Sequence, residues 1–160
     1  MPTVSVTAFI EAPAVDVWRL LTDLRARADW LTAVGAVEVL TPGPLGPGTA
    51  WREVRSRPDG GSLAEEFVVL EAVAPGRLVL GSPGAGVDYR VTWTLRQRRR
   101  RRRSCTAVTV AQQAEPTAGY GRVVALIFGG LAARAVERAL RHDLADLTAA
   151  VERAATTEAA

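Results

Sequence analysis

One histidine, His142, and one cysteine, Cys105, stand in a chain of 160 residues. Any Ser-His-Asp or Cys-His catalysis must therefore run through His142, and zinc or iron sites built on several Cys and His ligands are excluded. His142 follows Leu140 by two residues, about 200° round a helix at about 100° per residue. It is expected on the solvent side of that helix, near Arg138 and Asp146 at i−4 and i+4. Cys105 opens a strand directly after a run of arginines and reads as a bystander. What remains is a strand carboxylate that could act as acid or base and a strand arginine that could bind an anion. Residues 63–73 admit two parities: Ala64, Glu66, Val68 and Leu70 inward, or Leu63, Glu65, Phe67, Val69 and Glu71 inward. On the first, Glu66 is a carboxyl in apolar surroundings, with a raised pKa and the ability to act as acid or base; on the second it is an exposed strand glutamate. Arg52, if inward, would bind a ligand carboxylate or enolate oxygen; if outward, it is a solvated charge.

Six consecutive arginines, Arg98 to Arg103, are the strongest charge feature. Formal net charge is +3, so the chain without this run carries −3, and the pI of 9.9 describes one short segment. The run could bind phosphate, nucleic acid or an anionic membrane surface. It forms one block with no aromatic interleaved, so a solvated turn is the alternative and nucleic acid is not the expected partner. The glycine-rich segments 43–48 and 81–86 lack both the dinucleotide-binding spacing and a phosphate-loop lysine, and read as turns.

The elements that must position these groups follow from periodicity. Residues 3–11 alternate, with Val4, Val6, Ala8 and Ile10 on one face and Phe9 as the apolar exception on the other. Pro13 opens a helix to residue 24 with Val17, Leu20, Leu21 and Leu24 on one stripe, and Trp18 beside it. A shorter helix or turn spans Arg25–Leu31. Strands are expected at Val37–Thr41, Thr49–Arg57, Leu63–Val73, Arg77–Ser82, Val87–Gln97 and Ser104–Glu115, separated by Pro/Gly turns. Tyr89, Val91, Trp93 and Leu95 share one face of the cleanest of these. Val124, Ile127, Leu131, Val136, Leu140, Leu144, Leu147 and Val151 then mark a helix of about 35 residues, about 50 Å long, in which Gly129-Gly130 permits a bend. Residues 154–160 are expected to fray. Short turns between consecutive strands imply an antiparallel sheet, and only the last helix is long enough to cover its apolar face. The expectation is one α+β domain over residues 1–153.

A hydrophobic fraction of 48% argues against general disorder. The longest near-apolar run, Val123 to Ala133, has 11 residues, short of the roughly 20 that a membrane span needs. The first residues show neither a basic region nor a long apolar stretch, so the expected compartment is the cytoplasm.

Order and punctuation together resemble the START-domain and polyketide cyclase/dehydrase superfamily (SRPBCC), the helix-grip fold. The resemblance runs over about residues 3–150. It is carried by Ile10-Glu11-Ala12-Pro13, Val17-Trp18 with Leu21 and Asp23, Trp30, Pro44-Leu45-Gly46-Pro47-Gly48-Thr49, Pro75-Gly76-Arg77-Leu78 and Tyr89-Arg90-Val91-Thr92-Trp93. It implies a seven-stranded curved antiparallel sheet wrapped around a long C-terminal helix, with two short helices after the first strand and an apolar cavity between sheet and helix. Trp30, Trp51, Phe67, Tyr89, Trp93, Tyr120, Ile127 and Phe128 then become candidate pocket lining, core filling being the alternative; Trp18 and Phe9 read as packing. The implied function is binding of a hydrophobic small molecule, polyketide- or lipid-like, with no metal or organic cofactor. That would be either with cyclisation or dehydration of a poly-keto substrate or as a non-enzymatic carrier or sensor. Anion or nucleic-acid binding through Arg98–Arg103 is a reading of a different class.

Overall fold

The computed structural model describes residues 3–57, 59–84, 86–117 and 119–159, with side chains described outside 119–131. In chain order the elements are β1 (Thr3–Ile10), α1 (Ala14–Leu21), α2 (Arg27–Trp30), β2 (Val34–Val39), β3 (Ala50–Ser56), β4 (Ser62–Val73), β5 (Arg77–Ser82), β6 (Val87–Arg100), β7 (Arg103–Pro116) and α3 (Gly119–Ala159). All strands join one antiparallel sheet in the order β1-β7-β6-β5-β4-β3-β2. From β2 onward each strand pairs with the next, through links of two to five residues from β3 on and a ten-residue link between β2 and β3. β1 and β2 lie at opposite edges, and α1 and α2 make the crossing. This is the helix-grip architecture.

The period-2 face of β1 and the 3.6-period stripe of α3 meet in one core. Val6 and Ile10 pack with Leu78, Leu80, Trp93, Leu95, Val108 and Val110 of the sheet, and with Leu140, Leu144, Leu147 and Val151 of α3. A side chain as fully buried as Leu144 or Leu147 contributes about 1.5–3 kcal/mol. Val17 and Leu21 of α1 close one end. Positions 124, 127 and 131 of the expected stripe, and Gly129-Gly130, lie outside the described side chains.

Local chemistry sets the boundaries. The first helix stops at Leu21, short of residue 24. The Thr22 hydroxyl donates to the Trp18 carbonyl at 2.7 Å, and Asp23 Oδ1 accepts from the amides of Arg25 and Ala26 at 3.2 and 3.3 Å. Such short polar side chains compete with the helical backbone. At its start, Pro13 offers no capping group. Gln97 of β6 supplies one by accepting from the Ala14 amide at 2.9 Å, and Thr106 of β7 donates to the Ala12 carbonyl at 2.7 Å. The second strand is Val34–Val39, not Val37–Thr41, because it follows the register of β3. The C-terminal helix has 41 residues. The segment expected to fray stays helical to Ala159, where the hydroxyls of Thr156 and Thr157 donate to the Glu152 and Arg153 carbonyls.

Two departures bear on the charged residues. The β4–β5 register slips between Val69 and Glu71. That bulge keeps Glu65, Phe67 and Val69 on the inner face and releases Glu71 to Arg77 on the outside, 3.2 Å away. The arginine run is mostly ladder, not turn. β6 and β7 pair as far as Arg100 opposite Arg103, leaving only Arg101 and Arg102 at the tip, with φ of 48° and 67°.

Candidate functional site

Strand alternation in β3 puts Trp51, Glu53 and Arg55 on the inner face and Arg52 and Val54 on the outer. Glu53 is completely buried. Its Oε2 accepts from Arg27 Nε at 2.6 Å and from Trp51 Nε1 at 3.1 Å, and its Oε1 accepts from Arg55 Nε at 3.0 Å. Arg55 turns its other end to Asp143 of α3 in a two-pronged bridge, Nη2 to Oδ2 at 2.7 Å and Nη1 to Oδ1 at 3.3 Å. Glu65 of β4 lies on the same side, with Oε2 at 3.7 Å from Arg55 Nε. An edge helix, two strands and the long helix are thus joined through one chain of charges. Bidentate geometry of this kind is the strong form of an ion pair.

The electrostatics follow from burial and neighbours. Burial alone would raise the Glu53 pKa, but the charges and hydrogen bonds of Arg27 and then Arg55 outweigh it and hold the carboxyl below its ordinary value. Burial works against the Arg55 guanidinium, and Asp143 and Glu53 more than restore it, so Arg55 is held above its ordinary value. Glu65 moves the other way. Burial raises its pKa, Arg55 opposes, and the neighbouring Glu53 and Asp143 carboxylates push it further up.

Between this network and α3 lies a cavity of about 270 Å³. Arg27, Arg55, Glu65, Gln112 and Asp143 form its polar wall, and Phe67, Leu80, Val91, Trp93 and Leu140 its apolar one. Trp51 stands behind Phe67, with ring centroids 5.5 Å apart and planes at 25°, and the Arg27 guanidinium lies 5.4 Å from the Trp51 ring. Two larger hollows, beside Asp23 and beside Arg100, are lined mostly by exposed side chains and gather no buried charges. Apolar walls with a few convergent polar groups make the chemical pattern of a small-molecule site.

Of the residues singled out from the sequence, Phe67 and Trp93 line this cavity. Trp51 supports it. Trp30 is core, and its Nε1 has no hydrogen-bond partner among the described residues. Tyr89 sits 36% exposed near the start of β6. Tyr120, Ile127 and Phe128 lie outside the described side chains. Glu66 and Arg52 are corrected as acid–base or anion-binding candidates. Both face outward as register partners, Arg52 reaching Glu38 at 3.3 Å and Glu66 at 3.6 Å. Phe9 also faces out, 55% exposed, under the Arg100 guanidinium at 5.6 Å. His142 is on the surface, its Nε2 at 2.7 Å from the Thr32 hydroxyl and 3.6 Å from Asp146 Oδ2. Threonine and carboxylate meet the same ring nitrogen, so no proton relay runs through the ring. Thr32 also donates to Asp146 from its amide and its hydroxyl, both at 2.9 Å. Cys105 is buried.

Sequence reasoning passed over Arg27, Glu53, Arg55 and Asp143. A signal existed in β3, where the alternation Trp51-x-Glu53-x-Arg55 places an acid and a base on the face of a buried tryptophan. Asp143 stands three residues after Leu140 and one before Leu144, on the core side of α3. For Arg27, on a four-residue helix, there was no periodic signal.

A family model described as polyketide cyclase/dehydrase and lipid transport matches residues 1–152. Among curated proteins no sequence relative matches. Solved structures do. A protein from Thermus thermophilus is 22% identical with a TM-score of 0.74, covering 96% of this chain and 99% of that one. A START superfamily protein from Mycobacterium smegmatis is 13% identical with a TM-score of 0.69, covering 94% and 97%. The di-domain ARO/CYC BexL from the BE-7585A biosynthetic pathway is 21% identical with a TM-score of 0.60, covering 91% of this chain and 49% of BexL. At these identities the likeness is one of fold.

Proposed function

We propose, from the premise that the chain belongs to the polyketide cyclase/dehydrase and lipid transport family, that it binds a hydrophobic small molecule between the sheet and α3. The observation that carries this reading is the cavity of about 270 Å³, with Phe67 and Trp93 on one side and a continuous charge network on the other. Its volume is near the lower end of small-molecule sites, about 300–1,000 Å³, which suits a compact ring system better than a long extended chain. Among the described residues no helix is long and apolar enough to cross a membrane.

A second reading, cyclisation or dehydration of a poly-keto substrate, is favoured by Glu65. A carboxyl that faces a cavity and holds its proton more tightly than usual can give it to a leaving hydroxyl, and its carboxylate can take one from carbon next to a carbonyl. The cavity would supply the remaining advantage by holding the chain folded on itself. The carrier reading needs only the cavity. Arg98–Arg103 carry the anion-binding alternative, and none of them makes an ion pair with an acidic group among the described residues.

Native mass spectrometry of the purified protein, followed by denaturation and identification of what is released, tests the first reading. The expected result is a discrete apolar molecule, with uptake weakened by Trp93→Ala. An empty protein whose tryptophan fluorescence is untouched by hydrophobic probes would overturn it. Conversion of a released poly-keto molecule by the protein, lost in Glu65→Gln, would separate the enzyme from the carrier.

A further inference from the structure

The polar wall has a charge balance that restricts what can enter. Arg27 and Arg55 are the cations facing the cavity among the described residues, and Glu53, Glu65 and Asp143 the carboxyl groups of the same network. Each guanidinium is already matched. Glu53 lies between Arg27 and Arg55, with both of its oxygens engaged. Asp143 takes the two Nη groups of Arg55. Glu65 is the surplus carboxyl. Its nearest cationic nitrogen, Arg55 Nε at 3.7 Å, already donates to Glu53 at 3.0 Å.

A ligand carboxylate entering here would be a fourth acid against two bases. It would add an uncompensated negative charge to a desolvated wall unless it displaced Asp143 from Arg55. An uncompensated buried charge is among the most unfavourable things a cavity can hold. Hydrogen-bond donors, by contrast, are available. Arg27 engages Glu53 through Nε, and its Nη groups make no hydrogen bond among the described residues. Gln112 carries an amide on the same wall.

We propose that the cavity selects neutral apolar molecules bearing ketone-type or phenol-type oxygens, and discriminates against apolar carboxylates of the same shape. The selection comes from Arg27, Glu53, Arg55, Glu65 and Asp143 acting as one balanced set, and it rests on the ligand-binding reading above. A neutral oxygen accepts from Arg27 or Gln112 and adds no charge, whereas a carboxylate accepting there adds a negative charge that no guanidinium is left to balance.

The test uses three probes on one skeleton: naphthalene, 2-acetylnaphthalene and 2-naphthoate, titrated at pH 7.5 by tryptophan quenching and calorimetry. The ketone is expected to bind at least about tenfold tighter than the carboxylate, and tighter than the bare hydrocarbon. Glu65→Gln removes the surplus acid and is expected to narrow the ketone-to-carboxylate ratio. Asp143→Asn frees the Arg55 fork and should raise 2-naphthoate affinity in absolute terms, thermal unfolding first showing that the variant folds. Naphthoate binding to the unaltered protein as tightly as the ketone overturns the proposal while leaving the cavity reading intact. Naphthalene binding as tightly as the ketone overturns the role given to the oxygen. If none of the three binds, the cavity reading fails and the selectivity falls with it.

Discussion

Two groups of arginines occupy opposite environments in this molecule. Arg27 and Arg55 lie on the inner side of the sheet against Glu53 and Asp143. Arg98 to Arg103 extend along the β6–β7 hairpin, exposed and without an acidic partner among the described residues. The hairpin dominates the net charge, and the buried pair is inconspicuous in composition. The energetic importance runs the other way, because a charge in water is stabilised by solvent wherever it sits, while a buried one depends on its partner. Charge density along a chain is therefore a poor guide to where electrostatics holds a fold together.

The largest effect expected from this contrast is at Glu53. Glu53→Gln leaves Arg27 and Arg55 facing a neutral amide in a dry site, and a stability loss of about 3–5 kcal/mol is expected from urea unfolding. Serine at all of Arg98–Arg103 is expected to change stability by less than about 1 kcal/mol, as surface substitutions do. Equal losses in the two variants would break the comparison.

Next in size is the pH response, where two carboxyls of one network carry opposite signs. Glu53 has a folded pKa below its unfolded value of about 4.3. Its contribution is complete above that unfolded value and is lost as pH falls through the folded one. Glu65 has a raised folded pKa. Its contribution is present below about 4.3 and is lost as pH rises through the folded value. Glu65→Gln is thus expected to gain stability relative to the unaltered protein on going from pH 4 to pH 7, read from paired unfolding curves. An unchanged difference would mean that Glu65 is not desolvated.

The smallest effect belongs to the hairpin tip. Arg101 and Arg102 hold positive φ in a two-residue turn, a conformation that Asn-Gly adopts with less strain. The double substitution Arg101→Asn, Arg102→Gly is expected to stabilise by less than about 1 kcal/mol in thermal unfolding, relief at positive φ being partly offset by the backbone entropy that glycine loses, with cavity binding unchanged.

Much of the fold was legible residue by residue. The alternation in 3–11 and 87–97, the Pro/Gly turns and the apolar stripe from Val136 to Val151 each report a local preference, and the elements formed nearly where those preferences put them. The site was legible only in part. Phe67 and Trp93 could be read as candidates because aromatic residues on an inward face are visible from parity. The parity of 63–73 was not, since both faces of that strand carry apolar and acidic residues. Pairing with β3 decided it by bringing Phe67 opposite the buried Trp51 and Glu66 opposite the exposed Arg52.

The sequence by itself determined the periodicities, the turns and hence the antiparallel sheet gripped by one long helix, because these depend on neighbours a few residues apart. Tertiary structure alone decided which charges were buried together. Arg27 meets Glu53 across 26 positions, and Arg55 meets Asp143 across 88. Whether a charged residue is a solvated surface group or one member of a cavity wall depends on how much water the folded chain leaves around it; the parity of β3 hints at this for Glu53 and Arg55, but no local pattern records which residues they meet.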